Sequence, residues 1–247
     1  MLKVIVNGCS GKMGRVLANC IKNDDKLKLV CGVDSQNIDN LDFKAYSSFK
    51  DVTEKSDVII DFSHHSSLDE VLNYALKEKT PLVIATTGYN DDELNKIYNA
   101  SKIIPIFHSY NMSLGINVLL RLVKQASKVL NDFDIEIIEK HHNKKVDSPS
   151  GTAVMIANAI KEVLPSVENT YGRYGRESKR KENEIGIHAI RGGTIVGEHD
   201  VIFAGHDEIV EIKHTAQSKD IFAKGSIVAA KFLVNQEPGY YNMDNIF

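Results

Sequence analysis

The stretch Glu139-Lys140-His141-His142-Asn143-Lys144-Lys145-Val146-Asp147-Ser148-Pro149-Ser150-Gly151-Thr152 gathers groups that handle protons and anions. Its imidazoles titrate near neutrality, its lysines carry protons, and a helix opened by Ser150 would aim amides at negative charge. A metal site fits poorly and none is expected, because adjacent histidines of an extended chain point apart and no third ligand stands at a zinc-like spacing. A nucleophile triad lacks both a Gly-x-Ser-x-Gly elbow and a reactive-cysteine setting. What remains is either a solvated polar loop or a site for acid–base work on an anionic substrate.

Gly8-Cys9-Ser10-Gly11-Lys12-Met13-Gly14 suits a different task. It follows the apolar run Leu2–Val6 and opens a helical stretch. Glycines there let the backbone turn sharply and approach a pyrophosphate, whose charge the helix amides then meet. Asp34 ends the next strand, about 20 residues on, where a carboxylate accepts hydrogen bonds from ribose hydroxyls. The turns Ala85-Thr86-Thr87-Gly88 and Ser109-Tyr110-Asn111-Met112 follow later strands, and ligands of an open parallel sheet bind outside such carboxyl ends.

These groups need elements to hold them. Leu2–Val6, Lys28–Val33, Val58–Asp61, Leu82–Ala85 and Ile103–Phe107 read as short strands, separated in part by helical spacings such as Leu68, Val71, Leu72, Ala75 and Leu76. That alternation predicts βαβ units and a parallel sheet of Rossmann type. Residues 40–53 show no clean period and read as a strand-and-turn excursion. From Leu114 the pattern changes: a long helix with Ser113 as N-cap, an alternating strand over Asp134–Glu139, then a helix from Ser150 to about Leu164. A charged loop over Tyr171–Glu184 precedes alternation in Ile185–Ile190, Asp200–Phe203 and Glu208–His214, the mark of a mixed, mostly open sheet with a wet face. A last helix, about Asp220–Val234, has the length and apolar face to pack back on the first half. The expectation is an α/β chain: a dinucleotide-binding domain from 1–112 and 219–247, and an α+β substrate and oligomerisation domain over 113–218.

Composition narrows the partners. Among 247 residues, 43% are hydrophobic and 26% charged, a balance that excludes a disordered chain. The formal net charge of −3 argues against nucleic acid, and no run is apolar enough to span a bilayer. The basic run Arg176–Lys181 is interleaved with glutamates and reads as a solvated loop. Cys9, Cys20 and Cys31 form no Cys-x-x-Cys pair and fit a reducing compartment. The first residues read as a strand rather than a signal peptide, so a cytoplasmic protein is expected.

With these motifs in place, the chain resembles the dihydrodipicolinate (4-hydroxy-tetrahydrodipicolinate) reductase family over nearly its whole length. The resemblance rests on Gly8…Gly11-Lys12-Met13-Gly14, Asp61-Phe62-Ser63, Thr86-Thr87-Gly88 and His141-His142-x-x-Lys145-x-Asp147-x-Pro149-Ser150-Gly151-Thr152-Ala153. Arg191-Gly192-Gly193 and Val196-Gly197-Glu198-His199 match as well. It implies reduction of a cyclic 2,6-dicarboxylate by NADH or NADPH in diaminopimelate and lysine biosynthesis, usually by a homotetramer joined through the second domain's sheet. It implies proton donation by His141 and Lys145, and substrate carboxylates held at His142 and the Ser150-Gly151-Thr152 helix start. Cofactor contacts fall to Gly8, Cys9, Ser10, Gly11, Lys12, Met13, Asp34, Ala85, Thr86, Thr87, Ser109, Tyr110, Asn111 and Met112.

Three positions depart from the family pattern: Ala85 for a usual glycine, Ser218-Lys219 for Ser-Arg, and Ser35 where arginine is common. Ser35 bears on cofactor choice. Asp34 repels a 2′-phosphate and Ser35 brings no positive charge, so NADH is expected to be used at least as well as NADPH, with Lys12 leaving dual use open. Two rival functions stand beside the reductase. A dinucleotide-sensing protein without chemistry needs no histidine–lysine set, and a metal-dependent hydrolase built on His141, His142 and Asp147 would carry metal.

Overall fold

The computed structural model describes all 247 residues, which form two compact units, Met1–Ser113 with Lys219–Phe247, and Leu114–Ser218. The first unit starts as strand, helix, strand: β1 (Leu2–Asn7), α1 (Lys12–Lys22), β2 (Leu27–Val33). It continues through β3 (Ala45–Tyr46), β4 (Val58–Asp61), α2 (Leu68–Glu78), β5 (Leu82–Ile84), α3 (Asp91–Ser101) and β6 (Pro105–His108). The two-residue β3 is the strand of the 40–53 excursion. β6 starts later than Ile103 because that side chain is exposed in the turn after α3, while His108 at the strand's far end is buried. Helix α3, which no apolar stripe announced, is secured by a capping box between Asn90 and Glu93.

The second unit runs α4 (Leu114–Val129), β7 (Asp134–His141), α5 (Gly151–Lys161), β8 (Glu168–Tyr171), β9 (Glu184–Arg191), β10 (Gly197–Ala204) and β11 (Ile209–Ala216). The chain then returns to the first unit as α6 (Asp220–Leu233) and β12 (Gly239–Tyr241).

The first unit's sheet has seven strands in the order β12-β6-β5-β4-β1-β2-β3, every pairing parallel. The order reverses between β1 and β4, the place where open α/β sheets bind ligands at their carboxyl ends. Its central strands are apolar on both faces, as strands covered by helices must be: Val4, Ile5, Val6, Val58, Ile59 and Ile60 are wholly buried. Helix α6 packs on α1 and on β4 to β6. It approaches so closely that a Cβ on Gly225 would stand 1.7 Å from the Met112 carbonyl oxygen.

The second unit's sheet is mixed, in the order β11-β10-β7-β9-β8, with β10 antiparallel to both neighbours and β7, β9 and β8 parallel. Its core joins Ile135, Ile137, Ile185, Ile187, Val201 and Phe203 to Leu119, Val123, Ile156 and Ile160 of α4 and α5. The basic run Arg176–Lys181 is an exposed loop, as expected, apart from the half-buried Arg180. The Arg180 guanidinium lies 2.8 Å from Asp134 and 3.2 Å from Glu136, and donates to the Glu184 carbonyl at 2.7 Å. Arg173 pairs with Glu136 and Glu184. Carboxylates on β7 and β9 thus hold Arg173 and Arg180 against the sheet.

Candidate functional site

At the carboxyl ends of the first unit's strands, Gly8 follows β1 with φ of +75°, and a Cβ there would stand 2.6 Å from the Phe62 carbonyl oxygen. A Cβ on Gly14 would meet Gly8 O at 2.1 Å, whereas one on Gly11 would come only within 3.3 Å of it. Backbone therefore occupies the space of two missing side chains. Gly11 caps α1 with no side-chain hydrogen bond and no acidic residue follows in the first turn, so the helix's positive end is left to other acceptors. Asp34 braces this loop: its Oδ2 accepts from the Ser10 amide at 3.0 Å and the Ser10 hydroxyl at 2.7 Å. Lys12 and Gly11 are exposed and Met13 half-buried. Cys9 is wholly buried and its thiol is pushed up to about 12, first by burial and then by Asp34, so only its backbone is offered.

Asp61, quoted above only as a motif letter, is the hub beneath these loops. It is fully buried at the end of β4. Its Oδ1 accepts from Asn7 Nδ2 at 2.8 Å and from the Ser63 amide and hydroxyl at 3.1 and 2.6 Å, and its Oδ2 accepts from Thr86 Oγ1 at 2.9 Å. Burial pushes this carboxyl up while those donors pull it down, and burial wins. Thr86 is thereby turned inward, leaving Thr87 exposed and Ala85 half-buried at the turn's surface. In the other loop, Ser109 Oγ donates to the Asn111 carbonyl at 3.0 Å, and Asn111 Oδ1 accepts from the Ser113 amide at 2.9 Å. Tyr110 is exposed and Met112 buried.

In the second unit, β7 alternates buried residues Ile135, Ile137, Glu139 and His141, and the last two turn polar where the strand leaves the core. Parallel pairing sets Arg191 of β9 opposite His141. Glu139 receives His141 Nδ1 at 2.6 Å, both terminal nitrogens of Arg191 at 2.7 Å, and the Ser150 amide at 2.9 Å. Ser150 caps α5, its Oγ accepting from the Ala153 amide at 3.2 Å and lying 2.9 Å from His199 Nε2. Burial pushes His199 down to about 4, with His141 adding to the effect, so its ring is neutral beside the Ser150 hydroxyl.

The polar atoms of Ser150 are thus taken up inside the unit, and the exposed Gly151 and half-buried Thr152 form the face of the helix start. His142 is half-buried on the following loop. The Lys145 ammonium, one-fifth exposed, pairs with Asp147 at 2.8 Å and is not in the Glu139 cluster. Sequence reading gave no role to Glu139, Arg191 or His199. The available signal was the two-residue spacing of Glu139 and His141, which puts both on one face of a strand.

Two family models match the chain: "Dihydrodipicolinate reductase, N-terminus" over residues 2–112 and "Dihydrodipicolinate reductase, C-terminus" over residues 115–247. A 4-hydroxy-tetrahydrodipicolinate reductase of Caldanaerobacter subterraneus subsp. tengcongensis is 56% identical over 247 residues, covering 100% of this chain and 98% of that one. Its counterpart in Clostridium tetani is 53% identical over 246 residues, covering 99% and 96%. Among solved structures, a dipicolinate-bound dihydrodipicolinate reductase from Paenisporosarcina sp. TG-14 superposes with a TM-score of 0.84 over 100% of both chains at 24% identity. A probable dehydrogenase from Thermotoga maritima superposes at 0.66, at 13% identity, over 99% of this chain and 92% of that one.

Proposed function

The chain belongs to the dihydrodipicolinate reductase family, and from that premise we propose how its residues divide the work. It is a 4-hydroxy-tetrahydrodipicolinate reductase, acting in diaminopimelate and lysine biosynthesis. The observation that carries the division is the Glu139 cluster, which joins a histidine and a helix N-terminus through one buried carboxylate.

The first unit fits a nicotinamide dinucleotide, because Gly8 and Gly14 leave a cradle that a Cβ would fill and α1 has no side-chain cap. When bound, that cofactor supplies the hydride. The cradle residues from Gly8 to Met13 hold the pyrophosphate by backbone, Asp34 accepts from the ribose, and Ala85 to Thr87 with Ser109 to Met112 line the crevice. Asp34 and Ser35 favour NADH at least as much as NADPH.

Reduction consumes one hydride and one proton and releases the substrate hydroxyl as water, so a general acid is needed within hydrogen-bond reach. His141 and Lys145 fill that role. His142, Gly151 and Thr152 receive the two carboxylates, with Ser150 shaping the helix start as its cap. Pyridine-2,6-dicarboxylate, the ligand of the Paenisporosarcina enzyme, therefore serves as a substrate mimic. The outer face of the second sheet, with exposed Ile190 and Ile209, supports assembly into a homotetramer. We assign the enzyme to the cytoplasm, where its thiols stay free.

The test is oxidation of NADH and of NADPH, assayed separately, with aspartate semialdehyde and pyruvate fed through the preceding synthase. Consumption dependent on all components is expected. No consumption with either cofactor would refute the reading.

A further inference from the structure

Glu139 has more donors than a structural carboxylate needs. It is wholly buried, and each oxygen accepts twice: Oε2 from His141 Nδ1 and Arg191 Nη1, Oε1 from the Ser150 amide and Arg191 Nη2. Burial alone would push this carboxyl up, but Arg191, His141 and the Ser150 amide outweigh it and hold the group below the usual carboxylate range. An ionised carboxylate only accepts, so the hydrogen between His141 and Glu139 sits on Nδ1. Nε2 is then the one ring atom able to exchange a proton with a ligand. Room beside it is kept by Gly197 of β10, where a Cβ would stand 3.1 Å from His141 Nε2.

We infer that Glu139, gripped by Arg191, is a positioning residue that locks His141 with Nδ1 protonated and Nε2 as the working atom, and ties the start of α5 to the same carboxylate. A buried ion pair adds little to stability over an apolar pair of the same shape, which fits a role in orientation. The catalytic part of this inference rests on the reading of His141 as a proton donor.

The direct test is the two-bond nitrogen–proton spectrum of the intact 15N-labelled enzyme, with His141 assigned by its loss in His141→Ala. The neutral ring should show Nδ1 protonated and Nε2 bare. The opposite tautomer overturns the inference without any variant.

The kinetic test is Glu139→Gln. The new amide must face either His141 Nδ1 with Arg191 Nη1, or the Ser150 amide with Arg191 Nη2, and both are donor pairs. Turnover should fall about 10–100-fold, the usual range for loss of an orienting partner, with the NADH Michaelis constant unchanged. In the His141→Ala background the same substitution should cost nothing further, whereas losses that multiply would show Glu139 acting independently of His141. Should Glu139→Gln fail to fold with Arg191 unpaired, the Glu139→Gln/Arg191→Met pair removes the stranded charge and is expected to show the same loss; wild-type turnover there overturns the inference. If His141→Ala alone keeps full turnover, the proton-donor reading fails instead, and the tautomer measurement still decides what Glu139 does.

Discussion

Replacing Gly14 by alanine should separate two glycines that look equivalent in the motif. The added Cβ would stand 2.1 Å from Gly8 O and 2.7 Å from Cys9 Cα, and ordinary contact begins at 3.4 Å, so 3.4 − 2.1 = 1.3 Å of space must be found. Every obstructing atom is backbone, and Gly8 is itself confined against the Phe62 carbonyl. Overpacking of this kind costs roughly 1–3 kcal/mol, which lowers the melting temperature by about 2–4 °C per kcal/mol in a chain of this size. The loop that must move is the proposed pyrophosphate cradle, so NADH affinity should fall about 100-fold, or ~2.8 kcal/mol. Gly11→Ala asks for less than a tenth of that movement, since its Cβ would meet Gly8 O at 3.3 Å. Its affinity should stay within about threefold of wild type, ~0.6 kcal/mol. Fluorescence titration of NADH into both folded variants decides the matter. Equal affinities, or a worse Gly11→Ala, would refute the reasoning.

Four further outcomes are expected. Lys145→Met and His141→Ala should each lower turnover by roughly 10²–10⁴-fold with cofactor affinity unchanged, while His142→Ala should mainly raise the substrate Michaelis constant; near-wild-type turnover in both of the first two would remove the proton-donor assignment. The specificity constant for NADH should equal or exceed that for NADPH, because Asp34, the proposed ribose contact, has no cationic neighbour at Ser35; a large NADPH preference would contradict this. Pyridine-2,6-dicarboxylate should compete with substrate far better than pyridine-2-carboxylate, which leaves one anion site unpaired, and equal inhibition would take the α5 start out of the site. Finally, burial pushes His108 from 6.5 down to about 4, and its Nδ1 lies 2.8 Å from the Tyr240 hydroxyl. The unfolded imidazole gains a proton below 6.5 and the folded one does not until about 4, so stability is lost as pH falls through that window. The loss reaches on the order of 3 kcal/mol; urea unfolding from neutral pH into that window should show a shallower slope for His108→Gln, and identical slopes would sink the argument.

What could be read without coordinates was local. The run from β1 through Gly8–Gly14 to α1, β2 and Asp34 is contiguous, and its apolar periods and glycine spacing are set by neighbours in the chain. Ser150 as the cap of α5 was legible for the same reason, since a cap is a relation among four consecutive residues. β8 and β12 were not legible. Glu168–Tyr171 and Gly239–Tyr241 lack an apolar alternation, and they are strands because β9 and β6 present edges to pair with them.

The partnerships that govern the candidate site were hidden more deeply. Asp61 and Glu139 are acids that a linear reading places at a strand end or in a polar stretch. The sheet buries them among Asn7, Ser63 and Thr86 in one case, and Arg191, His141 and Ser150 in the other. Arg191 reaches Glu139 across 52 positions because β7 and β9 run parallel with His141 opposite Arg191. A register shift of one residue would turn Arg191 to the other face. Residue types and their spacing determined that a glycine loop follows β1 and that proton-carrying side chains gather before α5. Which buried charge meets which donor was decided by strand register, a property of paired strands that neither strand carries alone.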